Sequence, residues 1–251
     1  KIDEVFLDRC KNLKIIAKYG VGLDNIDLEA CKKRNIAIGW SGGINKLSVA
    51  EMALGFMLSL SRNLFQTSLQ LKSGDWNKNG GFQLSEKTIG IIGVGHIGKE
   101  VIRLLAPFNC NILVNDIIDQ KEYYQSTGVH ECTKDEIFKR CDIITLHTPL
   151  TKDTECLINA KSLSKMQTNT IVINTARGGL IEEKSLKTAL SNNQIKAAAI
   201  DTYDHEPPSD QELIKLKNLF CTPHIGGNSN EAILAMGMSA INHIKKFKEE
   251  I

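Results

Sequence analysis

An arginine, a glutamate and a histidine each follow a short apolar run in the second half of this 251-residue sequence. Arg177 stands in Thr175-Ala176-Arg177-Gly178-Gly179 and Glu206 in Asp201-Thr202-Tyr203-Asp204-His205-Glu206-Pro207. His224 stands in Thr222-Pro223-His224-Ile225-Gly226-Gly227, and another apolar run ends in His147-Thr148-Pro149. A guanidinium, a carboxylate and an imidazole brought together can bind an anion, orient a proton carrier and move a proton. Each residue alone has an ordinary alternative. An arginine before two glycines can be a loop residue with a surface ion pair, a histidine between proline and glycine can be structural, and a glutamate before two prolines can be a solvated turn acid.

What such a set would do depends on what lies beside it, and residues 88–116 supply that. A β-branched run from Thr88 to Ile92 leads into Gly93-Val94-Gly95-His96-Ile97-Gly98. Val101, Ile102, Leu104 and Leu105 follow at helical spacing until Pro107, and a second apolar run, Ile112 to Val114, ends in Asn115-Asp116. Strand, glycine turn, helix, strand and acid in that order form the dinucleotide-binding fingerprint. Gly93 permits the tight turn, Gly95 lets backbone approach a pyrophosphate, and Gly98 lets the helix pack close to the strand. The N–H groups and dipole at the helix start favour the anion. Asp116 can accept both adenosine ribose hydroxyls, and its charge would repel a 2′-phosphate, so the sequence predicts NAD rather than NADP. A proton-moving set beside a nucleotide is what transfer of a proton and a hydride together requires.

The elements that must position these residues alternate. Short strands are expected at 14–19, 36–38, 142–147, 170–175, 197–202 and 219–222, with helices over 28–34 and 182–191 between them. Ser48 and Glu51 form a capping-box sequence opening a long helix with Val49, Met52, Ala53, Phe56, Met57 and Leu60 on one side. Thr133 with Glu136, and Asn228 with Glu231, read as two further boxes, the second opening a final helix whose apolar face is Ala232, Ile233, Ala235, Met236, Ile241 and Ile244. Such alternation predicts an α/β fold with a doubly wound, mostly parallel sheet, whose ligands bind beyond the carboxyl ends of the strands.

The bulk numbers narrow the partners. Thirty-one basic and 29 acidic residues are intermixed, giving a net charge of +2, so no nucleic-acid partner is indicated. No apolar run approaches the ~18 residues of a membrane span, and no signal peptide is seen, which predicts a cytoplasmic protein with no membrane partner. The seven cysteines at 10, 31, 110, 132, 141, 156 and 221 form no CxxC or CxxH pair. No metal site is therefore expected, and buried thiols in a reducing compartment are.

Taken in order, YGVGLDNID, NKLSVAEMAL, the glycine fingerprint, LHTPLT, INTARGGLI, IDTYDHEPP and TPHIGG resemble the D-isomer-specific 2-hydroxyacid dehydrogenases, nearest the phosphoglycerate dehydrogenase branch. The resemblance implies NAD-dependent hydride transfer between a small 2-hydroxy acid and its 2-oxo acid, with 3-phosphoglycerate the best guess. It places Arg177, Glu206 and His224 at the catalytic positions. Arg177 would bind the substrate carboxylate and polarise the carbonyl. His224 would be the general acid/base, and Glu206 would fix its tautomer. Val21 and Gly22 would hold the substrate carboxylate through backbone N–H groups. Gly93, Gly95, His96, Ile97, Gly98, Asp116, Thr148, Gly226 and Gly227 would line the dinucleotide, with Thr175, Ala176 and Asp201 on its nicotinamide side.

The resemblance also implies a Rossmann-like NAD domain over 45–227. Residues 1–44 and the helix in 228–251 would belong to a smaller flavodoxin-like substrate domain, incomplete at its N-terminus. A homodimer is implied, with the helix from Ser48 and the loop around Trp76 and Phe82 as packing or dimer contacts. Thr202-Tyr203 stands where the family commonly has Val-Phe, and Lys46 where serine is common. Two other readings stay open: an NAD(H)-sensing binding protein of the corepressor type, and a cofactor-binding fragment without activity. His130, His205 and His243 receive no role.

Overall fold

The computed structural model describes residues 1–249, which divide into two compact units: Lys1–Ser48 with the segment from Gly227 on, and Val49–Gly226. In the smaller unit, β1 (Ile15–Ala17) and β2 (Ala37–Gly39) pair in parallel. A helix over Leu28–Lys33, capped by Asp27 accepting the N–H of Ala30, makes the crossover between them. Leu7, Ile26, Ala30, Cys31 and Ile36 form its small core. The helix Asn230–Glu249 lies on both strands. A Cβ on Gly39 would fall 2.5 Å from the Cβ of His243, so glycine is what lets that helix approach β2. His243 Nε2 also lies 3.0 Å from Ser41 Oγ, a structural role the sequence did not suggest.

The larger unit holds a seven-stranded sheet: β3 (Thr88–Ile92), β4 (Asn111–Asn115), β5 (His130–Glu131), β6 (Ile143–Leu146), β7 (Ile171–Asn174), β8 (Ala197–Ile200) and β9 (Leu219–Cys221). Its order is β5-β4-β3-β6-β7-β8-β9 and every pairing is parallel. The chain starts at β3, winds outward through β4 and β5, then returns to β6 and winds the other way. This is the doubly wound α/β sheet expected, with its switch point between β3 and β6. Strands β6, β7 and β8 are buried at every position, as a parallel sheet covered on both faces must be. Side chains alternate between two cores. Ile144, Val172 and Ala198 join helix residues Ile137, Phe138 and Leu186 on one face. Ile143, Ile173 and Ala199 join Phe56, Val101 and Leu105 on the other.

Two helix starts differ from expectation. The long helix begins at Lys46, one turn before the Ser48 box would place it, and the Ser48 hydroxyl accepts the N–H of Ser229 at 3.3 Å. The final helix is capped by Ser229, whose Oγ accepts the N–H of Ala232, not by Asn228. The box at Thr133 and Glu136 forms with both reciprocal bonds. On the final helix Ala232 and Met236 are buried, whereas Ile233, Ile241 and Ile244 are exposed. A helix over Leu64–Lys72 buries none of its residues, which is why no helical period marks it in sequence. Trp76 is 77% exposed, while Phe82 lies under the ammonium groups of Lys196 and Lys87. All seven cysteines are free thiols. Only Cys31 and Cys141 are fully buried, fewer than the apolar runs beside them suggested.

Candidate active site

The turn after β3 has the shape its glycines foretell. Gly93 sits at φ +97°, and a Cβ there would press to 2.5 Å on the His147 backbone. A Cβ on Gly98 would meet the Gly93 carbonyl oxygen at 2.1 Å, so the helix His96–Leu105 can rest against the strand end only without a side chain. Gly95 is the opposite case: a Cβ there would meet nothing within 4 Å. Gly95 gives this helix no side-chain cap, so its first-turn N–H groups face open space where an anion fits. His96 is exposed and Ile97 half-buried at the same terminus.

Asp116, just past β4, accepts the N–H of Val94 on Oδ2 at 2.6 Å and that of Ile118 on Oδ1 at 2.9 Å. The carboxylate thus ties the glycine turn to the neighbouring strand end, and each oxygen keeps a second lone pair for a ribose hydroxyl. Thr148 follows β6, half-buried, with its backbone against Gly93. Thr175 is buried, and its Oγ1 has no protein partner. A buried hydroxyl left unpaired is costly unless a ligand completes it. Open space at Gly95, a charged acceptor at Asp116 and an orphan hydroxyl at Thr175 together fit a dinucleotide.

The acid/base residues gather at the ends of β7, β8 and β9. Asn174, fully buried, accepts the N–H of Ala176 and donates its own Nδ2 to the carbonyl of Arg177 at 2.7 Å. This clamp forms the turn that presents Arg177, whose Nη1 donates to the Ala176 carbonyl. Asn174 escaped the sequence reading, because nothing in a run of Ile-Asn-Thr shows that the amide turns back on its own loop.

Beyond β8, Asp201 is 1% exposed and accepts three bonds: Thr222 Oγ1 at 2.6 Å, Ile225 N–H at 2.8 Å and Gly226 N–H at 2.7 Å. These acceptances fall on both sides of His224 and fix its loop, where His224 takes φ +54°. Asp201 is therefore first an anchor of the histidine loop. Gly226 packs so close to it that a Cβ would lie 2.9 Å from Asp201 Oδ2. Gly227 belongs to the smaller unit, where a Cβ would press on Asn45. Val21 and Gly22 also lie in that unit, on the loop after β1, and the Val21 carbonyl accepts from Trp40 Nε1 at 2.9 Å.

Glu206 and His224 meet directly. His224 Nδ1 lies 2.8 Å from Oε2 and 2.9 Å from Oε1 of Glu206. A carboxylate can only accept from Nδ1–H, so the neutral ring carries its lone pair on Nε2. Both side chains are partly exposed, at 49% and 40%, and so open to a substrate. Just past β6, His147 is buried with Nε2 bonded to Thr145 Oγ1 at 2.9 Å, and burial drives its pKa down to about 3. It is neutral and structural. Among the described residues no cluster of three or more His, Cys, Asp or Glu could hold a metal ion, and no helix is long and apolar enough to cross a membrane.

Known proteins resemble this chain in sequence and in fold. The D-3-phosphoglycerate dehydrogenase of Methanocaldococcus jannaschii is 40% identical over 98% of this chain and 48% of its own length. The chain thus spans about half of that relative. The hydroxypyruvate reductase of Thermotoga maritima is 38% identical, over 99% of this chain and 81% of its own. The crystal structure of D-lactate dehydrogenase from Aquifex aeolicus, complexed with NAD and lactic acid, superposes with a TM-score of 0.91 at 26% identity, covering 100% of this chain and 80% of that one. Residues 54–226 match the family described as D-isomer specific 2-hydroxyacid dehydrogenase, NAD binding domain. With its glycine turn, its doubly wound sheet and these relatives, the chain belongs to the D-isomer-specific 2-hydroxyacid dehydrogenases.

Proposed function

We propose that this chain interconverts a small D-2-hydroxy acid and its 2-oxo acid with NAD(H), and that the acid is 3-phosphoglycerate or a close relative of it. The observation that carries the reading is the Glu206–His224 pair on a loop anchored by Asp201. When bound, NAD(H) supplies or takes up the hydride. His224 Nε2 gives a proton to the substrate oxygen in reduction and takes it back in oxidation. Glu206 holds the ring in the tautomer that makes this possible and stabilises the imidazolium. Arg177 pairs with the substrate carboxylate and draws electron density from the carbonyl. Asp116 reads the ribose hydroxyls and disfavours a 2′-phosphate.

The choice of acid rests on relatives named for phosphoglycerate and hydroxypyruvate. In this reading 45–227 is the cofactor domain, and 1–44 with 228–251 belongs to a substrate domain. We further infer a homodimer, supported by the exposed Leu64, Leu69, Leu71 and Trp76 on one stretch of chain. A cytoplasmic setting is supported by the seven free thiols.

The test is NADH oxidation followed by absorbance with phosphohydroxypyruvate, hydroxypyruvate, glyoxylate, pyruvate and 2-oxoglutarate, and NADPH run in parallel. Turnover of phosphohydroxypyruvate above the others supports the full reading. Turnover of another acid keeps the dehydrogenase and changes the substrate. NADH binding without turnover of any acid sinks the enzyme reading in favour of a cofactor-sensing protein.

A further inference from the structure

The residue at which the three candidate catalytic segments meet is Tyr203, which none of the roles above uses. It follows β8 with its ring buried, 8% exposed, in the core that holds Ala176, Leu180 and Leu213. Its backbone N–H donates to Glu206 Oε1 at 3.2 Å. Its phenol Oη donates to the carbonyl of Thr222, two residues before His224, at 2.9 Å. Its own carbonyl group lies against Gly178, the residue after Arg177, so closely that a Cβ on Gly178 would fall 1.9 Å from it.

We propose that Tyr203 is a positioning residue that joins the Glu206 loop, the His224 loop and the Arg177 turn into one unit, with its hydroxyl holding the histidine loop in register with the glutamate. The backbone contacts need no particular side chain. The hydroxyl bond does, and a phenylalanine at this place could not make it. Burial and the neighbouring Cys221 thiol push the phenol pKa up, so the hydroxyl stays a donor throughout the neutral and mildly alkaline range. The carbonyl it serves lies on the strand side of the loop, where Asp201 already holds Thr222 Oγ1, Ile225 and Gly226. Asp201 fixes the loop to the end of β8, and Tyr203 fixes the same loop to the residue that carries Glu206 toward it. Losing the hydroxyl leaves the loop folded and frees it to shift relative to Glu206.

The kinetic arm of the test rests on the dehydrogenase reading, and the spectroscopic arm does not. Tyr203→Phe keeps the ring in its core and removes the hydroxyl, with its bond to the Thr222 carbonyl and its contact with the Cys221 thiol. Thr202→Val is the control: it removes the adjacent buried hydroxyl, which has no protein partner. In the wild type, proton NMR should show a low-field Nδ1–H signal from His224, assigned by its loss in His224→Ala. In Tyr203→Phe that signal should broaden or shift. In kinetics, kcat should fall about five-fold, the worth of one neutral hydrogen bond, with KM for the 2-oxo acid within about two-fold, as expected for a defect in proton handling and not in binding. Thr202→Val should leave both readouts as in the wild type. A Tyr203→Phe signal and kcat equal to wild type would overturn the proposal, as would the same loss in Thr202→Val. If the wild type turns over no acid, the dehydrogenase reading falls and the His224 signal alone decides whether Tyr203 positions the pair.

Discussion

Both oxygens of Glu206 stand within 2.9 Å of a single atom, Nδ1 of His224. One oxygen also accepts the N–H of Tyr203, so the carboxylate is held from behind while it holds the ring in front. Glu206→Gln keeps the shape of this contact and removes the charge. The amide can present its N–H to Nδ1 and so select the wrong tautomer. The expected result is a fall in kcat on the order of 100-fold for 2-oxo acid reduction, with NADH affinity within about two-fold. A variant as fast as wild type would mean that Glu206 does not orient the proton carrier.

Arg177 is presented by a turn that Asn174 locks at two points. Arg177→Lys retains the charge and loses the planar fork. Reduction of a 2-oxo acid should lose on the order of 100-fold in kcat/KM, carried largely by KM. Arg177→Ala should abolish turnover while NADH still binds, as titration calorimetry would show. Equal kcat/KM in the lysine variant would remove Arg177 from carboxylate recognition.

Asp116 offers charged acceptors beside the glycine turn. Asp116→Asn preserves an oxygen for Val94 or Ile118 and discards the negative charge. NADH affinity should weaken about 10-fold, the scale of a charge-assisted hydrogen bond, and the preference for NADH over NADPH should narrow by at least that factor. Titration of both cofactors by fluorescence measures it, and an unchanged ratio of the two affinities would remove Asp116 as the selector.

The buried His147 makes stability depend on pH. Burial holds its folded pKa down to about 3, against about 6.5 in an unfolded chain. The unfolded state therefore takes up the proton first. The stability this group contributes is present above about pH 6.5 and is lost as pH falls toward 3. Between pH 7 and pH 5 the loss should be ~2 kcal/mol, before carboxylates such as Asp135, held low by its hydrogen bond to Lys165, protonate. Urea unfolding of wild type and His147→Gln at the two pH values reads the effect as a difference of slopes. Parallel slopes would show that His147 takes up its proton without unfolding.

What the sequence made legible was local. Gly93, Gly95 and Gly98 each meet a demand set within a few residues, by a positive φ, an open helix end and a carbonyl one turn away. Thr133 and Glu136 cap each other across three positions. Where the partner is distant, the pattern misled or stayed silent. Ser48 resembles a cap, but its hydroxyl serves Ser229, and the helix has already begun at Lys46. His243 looked idle because Ser41 reaches it only in the fold. Among the site residues, Arg177, Glu206 and His224 stood out because strand ends are where an α/β sheet keeps its chemistry. Asn174 and Tyr203 did not. Their side chains act on backbone carbonyls, and any sequence position offers one of those.

The strand order carries a consequence for how such a molecule can diversify. The glycine turn and Asp116 hang from β3 and β4 on one flank of the sheet, whereas Arg177, Glu206 and His224 hang from β7, β8 and β9 on the other. In the strand order β6 stands between the two flanks, and its own end contributes backbone to Gly93. Loops on the second flank can be lengthened, exchanged or recombined without disturbing the first. Inheritance can hold one half of the sheet constant while exploring the other, so new chemistries arise by editing one border of an old sheet.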